Sequence, residues 1–393
     1  MATGALFAGV GEIDAAIARS TRELDLLLLC ARAQIDDTRA QRISESLAGG
    51  VDGDALIRLA WRHGLVPLLY HSLARVGLHK LAPEIQIRLR TIAESSRLRT
   101  LVLASELLRL QRVLTAAGVV AIPYKGPALA AHLYGDAALR QILDIDLIVR
   151  PGDAVKARQV LIENGCVALN KMSPLRAAAH AWYHCDFVFM TAKKVCVDLT
   201  WRIAPAYWNL PKIAPSAWTR LGHLPLAGDT VPWLAGEDLL VVLCLHGCKH
   251  KWDTLKWIVD VAELLRVHSQ LDWAYLWASA RDSGAQRMLA LGLLLAHDWL
   301  EAPVPLAQLQ RIRSDAALLP LAQEVGRNFS VADAPAASTL VELDFLTRLA
   351  ERAWTRLACR MLRPPYFVLH HMLRPAAQAL RRISVRPEPD RPV

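Results

Sequence analysis

The segment Asp144-Ile-Asp-Leu-Ile-Val holds the densest chemistry in the chain. It is short, apolar and β-branched, and so predicts a strand. Side chains alternate along a strand, so Asp144 and Asp146 leave one face while Ile145, Leu147 and Val149 enter a core. Two carboxylates so close repel unless a cation lies between them. Mg²⁺ or Mn²⁺ suits that place, because hard divalent ions prefer oxygen ligands. A third acid, Asp198, lies in Val195-Cys-Val-Asp-Leu-Thr-Trp, with Val195, Val197, Leu199 and Trp201 on the opposite face. If this strand pairs beside the first, the three acids converge. Two ions roughly 3.5–4 Å apart would then clamp the attacking and leaving oxygens of an in-line phosphoryl displacement.

Cationic groups flank the acids in sequence. Lys125-Gly126-Pro127 turns the chain between an apolar strand at 118–124 and a helix at 128–134, and Arg140 stands just ahead of the acid pair. A glycine turn entering a helix offers backbone N–H groups to phosphates. Further on comes His246-Gly-Cys-Lys-His-Lys-Trp-Asp-Thr-Leu-Lys-Trp-Ile-Val-Asp. On a helix His246, Lys249 and His250 share a face, with Trp252 and Trp257 as core or wall residues. Lys249, His250 and Lys256 would offer donors to a triphosphate or its leaving group. The alternative is that they cap and solvate a helical hairpin. Asp260 either orients one of these bases or is an exposed helix residue.

The cluster Cys244, His246, Cys248 and His250 does not predict zinc. Residues two apart on a helix point roughly 160° from each other, so the four cannot share one ion. His180 and His184 read as structural residues, with a place in the cleft as the alternative. Cys166, Cys185 and Cys196 read as small core residues.

The elements that must position these groups follow from periodicity. Residues 11–117 place apolar side chains three and four apart and predict helices. Asp54 is a candidate N-cap of one of them, with Gly64 and Pro67 as its stop signal. Strands at 118–124 and 144–149, a helix at 154–164 closed by Gly165, and a hairpin of 186–190 with 195–201 make an α+β centre. Helices are expected again at 237–249, 254–268, 273–283 and 285–300. The expected organisation is a helical N-terminal module (1–100), an α+β core (101–215), a helical C-terminal domain (216–350) and an Arg-rich tail (351–393).

The run Lys125-Gly-Pro-Ala-Leu-Ala-Ala-His-Leu-Tyr-Gly-Asp-Ala-Ala-Leu-Arg-Gln-Ile-Leu-Asp-Ile-Asp-Leu-Ile-Val resembles the signature of the uncharacterised nucleotidyltransferase family, within the DNA polymerase beta-like superfamily. Val197-Asp-Leu-Thr-Trp and the block from His246 to Asp260 are similar to two further signatures of that family, in the same order. The resemblance covers roughly residues 101–266. It implies a polymerase beta-like core of a small mixed sheet with helices, acting on NTP. It further implies that Asp144 and Asp146 bind the catalytic divalent ions, that Asp198 completes one metal site and helps deprotonate an acceptor hydroxyl, and that Gly126 lies where backbone approaches the triphosphate. The chain departs from the superfamily pattern in three places. Gly126 is followed by Pro127, which donates no hydrogen bond, so a phosphate contact falls to Lys125 or Arg140. The spacing from Gly126 to Asp144 is longer than usual. Thr200 stands where relatives often carry His.

The whole chain sets wider bounds. Hydrophobic residues make up 53% of 393, enough for a large core, and the net charge of +9 favours anionic partners. No apolar run approaches the roughly 20 residues of a membrane span, and residues 1–10 lack a basic region before an apolar stretch. The seven scattered cysteines suit reduced thiols in a cytoplasm. No stacked-aromatic RNA motif or helix-turn-helix points to nucleic acid, while the Arg-rich tail offers a peripheral membrane contact. The expected function is metal-dependent transfer of an NMP group from NTP to a small-molecule, peptide or glycan acceptor, releasing pyrophosphate. The alternative is a catalytically silent nucleotide-binding or regulatory protein that keeps the fold.

Overall fold

A computed structural model describes residues 22–203, 213–329 and 339–350. The Arg-rich tail lies outside the described residues, as does the N-terminal decapeptide. The chain opens with helices α1 (Arg22–Cys30), α2 (Asp37–Ala48), α3 (Gly53–His63), α4 (Val66–Val76) and α5 (Pro83–Ala116). Asp52, not Asp54, caps α3: its carboxylate accepts from the amides of Asp54 and Ala55. Asp54 instead lies in the first turn, where its charge opposes the helix dipole. Gly64 ends α3 in the left-handed conformation at φ 69°. Pro67 does not serve as a stop; it sits in the first turn of α4, where a missing N–H breaks no helical bond.

Helix α5 runs for 34 residues and crosses the boundary expected at residue 100. Leu103, Leu107, Leu110 and Leu114 line its buried side, which packs on the strands that follow. These are β1 (Ala121–Pro123), β2 (Asp144–Val149), β3 (Val167–Ala168), β4 (Asp186–Met190) and β5 (Cys196–Thr200), in the order β1-β2-β5-β4-β3. The central pair β2–β5 is parallel and every other pairing in this sheet is antiparallel. A parallel pair needs a long crossover. Here it is made by α7 (Ala154–Glu163), β3, α8 (Pro174–Tyr183) and β4. Between β1 and β2 the chain forms α6 (Gly126–Tyr134), which begins at Gly126 and not two residues later as expected.

The region from 216 is not purely helical. A hairpin of β6 (Gly222–Leu226) and β7 (Asp229–Trp233) precedes the helices. Its turn residues Ala227 and Gly228 have φ of 49° and 84°, which suits the right-handed twist of a hairpin. Leu224, Leu226, Val231 and Trp233 fill its buried face. Then follow α9 (Gly236–Lys249), α10 (Leu255–Val267), α11 (Trp273–Ser283), α12 (Gln286–Leu300), α13 (Leu306–Arg313), α14 (Leu318–Arg327) and α15 (Thr339–Leu349).

The α9–α10 corner is built around Trp252, which is fully buried. A Cβ on Gly247 would lie 2.4 Å from its ring and one on Gly292 would lie 3.1 Å from it. Lys251 and Trp252 both take positive φ, 53° and 54°, to drop the indole into that slot. The chain thereby turns back so that α10 lies beside α9. Among the described residues one apolar cluster joins the N-terminal helices, the sheet and the C-terminal helices.

Candidate active site

The parallel register sets Asp146 opposite Asp198 and Asp144 opposite Cys196. Paired residues share a face and alternate along each strand. Asp144, Asp146 and Asp198 therefore leave the sheet together, and a carboxylate oxygen from each lies within 4.8 Å of the others. On the other face Ile145, Leu147, Val197 and Leu199 are buried. Asp146 is buried, and Asp144 and Asp198 are half-buried. Burial pushes the Asp146 carboxyl up; Lys125 opposes the shift and Asp144 adds to it.

Lys125 is held against this cluster. Its Nζ lies 2.8 Å from Asp146 Oδ1 and donates to His246 Nε2 at 3.3 Å. Burial and then the Lys125 charge hold His246 well below its ordinary pKa, so its ring is the neutral acceptor. Gly126 takes φ +67°, and a Cβ there would stand 3.4 Å from the carbonyl oxygen of Asp144. The helix start thus packs close over the strand that bears the acids. No side chain caps α6. Pro127 removes one of its amides, leaving those of Gly126, Ala128 and Leu129 in the first turn.

The structure binds Arg140 to Asp260, on α10: Nε to Oδ1 and Nη2 to Oδ2, both at 2.8 Å. Tyr134 donates to the same Oδ1 at 2.7 Å. Asp260 is therefore a buried anchor, 1% exposed, and not the exposed helix residue that was one of its two expected readings. Burial works against the Arg140 charge and Asp260 more than offsets it, leaving the pKa raised. The bridge fixes the loop before β2 to the C-terminal helices, while the Arg140 charge still bears on Asp146.

The downstream block reaches the acids through His246, which accepts from Lys125. Lys256 is half-buried beside Gly64, where a Cβ would come within 3.0 Å of its Cδ. Burial, then Arg140, lower Lys256 to about 8 against the opposing pull of Asp144 and Asp260. Lys249 and His250 end α9, half-buried, and their charges also depress His246. The His250 ring lies tilted against those of His246, at 4.7 Å, and Trp257, at 5.1 Å. The four residues weighed for zinc diverge: Cys248 accepts from Trp252 Nε1 at 3.3 Å and Cys244 abuts Gly292, whereas His246 faces Lys125.

Three neighbours of the acids escaped the sequence reading. The sequence puts His246 on a helix face with Lys249 and His250 and assigns it no task, yet it accepts from Lys125. The phenol of Tyr124 is buried, and after that burial its pKa is raised most by Asp146, Asp198 and Asp144. Its ring lies 4.9 Å beneath Lys125 Nζ. Cys196 is not a core thiol: it is half-buried on the acid face, its Sγ 4.0 Å from Asp198 Oδ1. The two-residue alternation through Cys196 and Asp198 carried that signal. Cys166 and Cys185 are buried as expected.

Three carboxylates offering only oxygen, in a pocket that already accepts an ammonium, fit a hard divalent cation. The class that this fold and site define is a mixed α+β protein presenting three acids from a central parallel pair beneath a glycine-started helix. The chain belongs to a family described as uncharacterised nucleotidyltransferase, whose match spans residues 49–301. No curated protein matches it.

Proposed function

We propose that the protein is a metal-dependent nucleotidyltransferase that moves an NMP group from NTP to a hydroxyl or amine acceptor and releases pyrophosphate. The observation that carries this reading is the convergence of Asp144, Asp146 and Asp198 on one sheet face. These acids would hold Mg²⁺ or Mn²⁺, which supplies charge neutralisation for the attacking and leaving oxygens. Asp198 stands to take the acceptor proton as its oxygen attacks the α-phosphorus. The first-turn amides of α6, together with Lys125, Lys249, His250 and Lys256, would receive the triphosphate and the leaving pyrophosphate. Arg140 serves by position, through Asp260. Among the described residues no helix is long and apolar enough to cross a membrane. The described cysteines are free thiols, and we read the setting as the cytoplasm.

The test is pyrophosphate release with Mg²⁺ and each NTP over a panel of small-molecule, peptide and glycan acceptors. Asp144→Asn and Asp146→Asn should each lower turnover by at least about a hundredfold, because losing a metal ligand removes several kcal/mol of transition-state stabilisation. Near-parental turnover in either variant would refute the assignment. One observation favours a second reading, a silent nucleotide-binding protein: Lys125 already neutralises Asp146 at 2.8 Å. Tight Mg-NTP binding with no turnover on any acceptor would select it.

A further inference from the structure

A second set of donors stands outside the three-acid cluster. Helix α8 carries His180 four residues before its C-cap His184, so both imidazoles leave the same side. The chain enters β4 at Asp186 directly afterwards. Donor atoms from these three side chains lie within 4.8 Å of one another. Turning the half-buried His184 ring would bring them to the roughly 3.3 Å separation of ligands about one tetrahedral ion.

The backbone of the site is rigid. The amide of His184 donates to the carbonyl of His180 at 2.8 Å, and Trp201 N–H donates to the carbonyl of Cys185 at 3.0 Å. The two imidazoles stack at 4.0 Å with only 10° between their planes, so their in-plane lone pairs run parallel, and the half-buried His184 ring must turn out of the stack for both to meet one ion. Phe187 covers the other side of His180 at 5.2 Å. His180 Nε2 lies 3.0 Å from the backbone oxygen of Asp186. A carbonyl only accepts, so Nε2 carries the hydrogen and the lone pair of the neutral ring is on Nδ1. Metal-bound imidazoles are usually oriented in this way, one nitrogen anchored to a carbonyl and the other facing the ion.

We propose that His180, His184 and Asp186 form a binding site for a divalent transition ion of the Zn²⁺ class, separate from the Mg²⁺-type acid cluster. Two imidazoles and one carboxylate favour such ions over Mg²⁺, which selects oxygen. Asp186 pairs with Thr200 and Val188 pairs with Asp198, so Asp186 is on the face of the acids, whereas His180 packs on Phe187 of the opposite face. The ion ties α8 to the beginning of β4. This inference does not depend on nucleotidyl transfer.

The experiment uses the untagged full chain, reduced and stripped with chelator, then titrated calorimetrically with Zn²⁺ in saturating Mg²⁺. One equivalent should bind, and Co²⁺ in its place should give visible absorption of a nitrogen-oxygen site. His184→Ala, His184→Gln and Asp186→Asn should each weaken Zn²⁺ binding by about tenfold or more. Circular dichroism without metal would confirm that they fold. Asp144→Asn and Cys185→Ser should keep the parental affinity. The proposal is overturned if Zn²⁺ does not bind above Mg²⁺, or if folded His184 and Asp186 variants bind it as the parent does. Loss of binding in Asp144→Asn or Cys185→Ser would overturn it too, placing the ion at the acids or on a thiol.

Discussion

Lys125 decides how the acid cluster behaves. Its ammonium stabilises a buried carboxylate that has a second carboxylate beside it. Removing one partner of a buried pair leaves an uncompensated charge, at about 3–5 kcal/mol. Lys125→Ala should therefore melt earlier than the parent in chelator. A divalent ion at the same acids would restore the missing charge, so Mg²⁺ should raise the melting temperature of Lys125→Ala more than that of the parent. Equal Mg²⁺ shifts in both proteins, by scanning calorimetry, would show that no cation shares the pocket with Lys125. His63 offers a second check at this scale. It is fully buried, accepts from the Leu255 amide at Nδ1 (3.3 Å) and donates from Nε2 to the Phe329 carbonyl (3.2 Å). The Nδ1 contact needs the neutral ring, and burial holds the pKa at about 4 against an ordinary 6.5, although the Phe329 carbonyl pulls the other way. Between these values the unfolded chain binds the proton and the folded one does not. Stability from this group is thus full above about 6.5 and is lost as pH falls towards 4, by at most about 3 kcal/mol. Urea melts of His63→Leu should show a lower starting stability and a shallower acid loss than the parent. A parental acid slope would remove His63 as the cause.

At the scale of elements, the α9–α10 corner shows why a signature block can be structural and still serve a site. Gly247 has no Cβ because the Trp252 ring occupies that space, 2.4 Å from where one would stand. The left-handed pair Lys251 and Trp252 completes the turn. This packing aims His246 at Lys125 and puts Lys256 where the Asp144 charge acts on it. Gly247→Ala should overpack the corner and lower stability by about 1–3 kcal/mol, read from urea melts. If the variant matches the parent, the slot is looser than the contact implies. The Arg140–Asp260–Tyr134 bridge does comparable work between the loop before β2 and α10.

Across the whole molecule, cations from the helices meet carboxylates from the sheet. Lys256 is the clearest case, since its amine is lowered to about 8 although the Asp144 and Asp260 charges pull the other way. Its charge is present below that pH and is lost above it. If it receives phosphate, Mg-NTP affinity should fall as pH rises through about 8. Lys256→Ala should bind more weakly below that pH, flatten the profile and reduce the salt dependence of binding. Isothermal titration at low and high salt on both sides of the transition reads all three. An unchanged profile in Lys256→Ala would place the phosphate donors elsewhere.

The sequence alone determined the strand bearing Asp144 and Asp146, the later strand bearing Asp198, and most helices after Glu237. Each of these rests on a local period, two or 3.6 residues, written in consecutive side chains. It did not determine the hairpin β6–β7 or the short edge strand β3, which run only five and two residues per strand. Nor did it determine the partners of the cations. Arg140 and Asp260 are 120 residues apart, and Lys125 and His246 are 121 apart. A charge in sequence looks available to any anion; only tertiary packing says which anion reaches it first. The parallel pairing of β2 with β5 was likewise a condition in the sequence. The crossover through α7 and α8 brought the three acids together, because a parallel register is made by elements that lie between the strands and outside both.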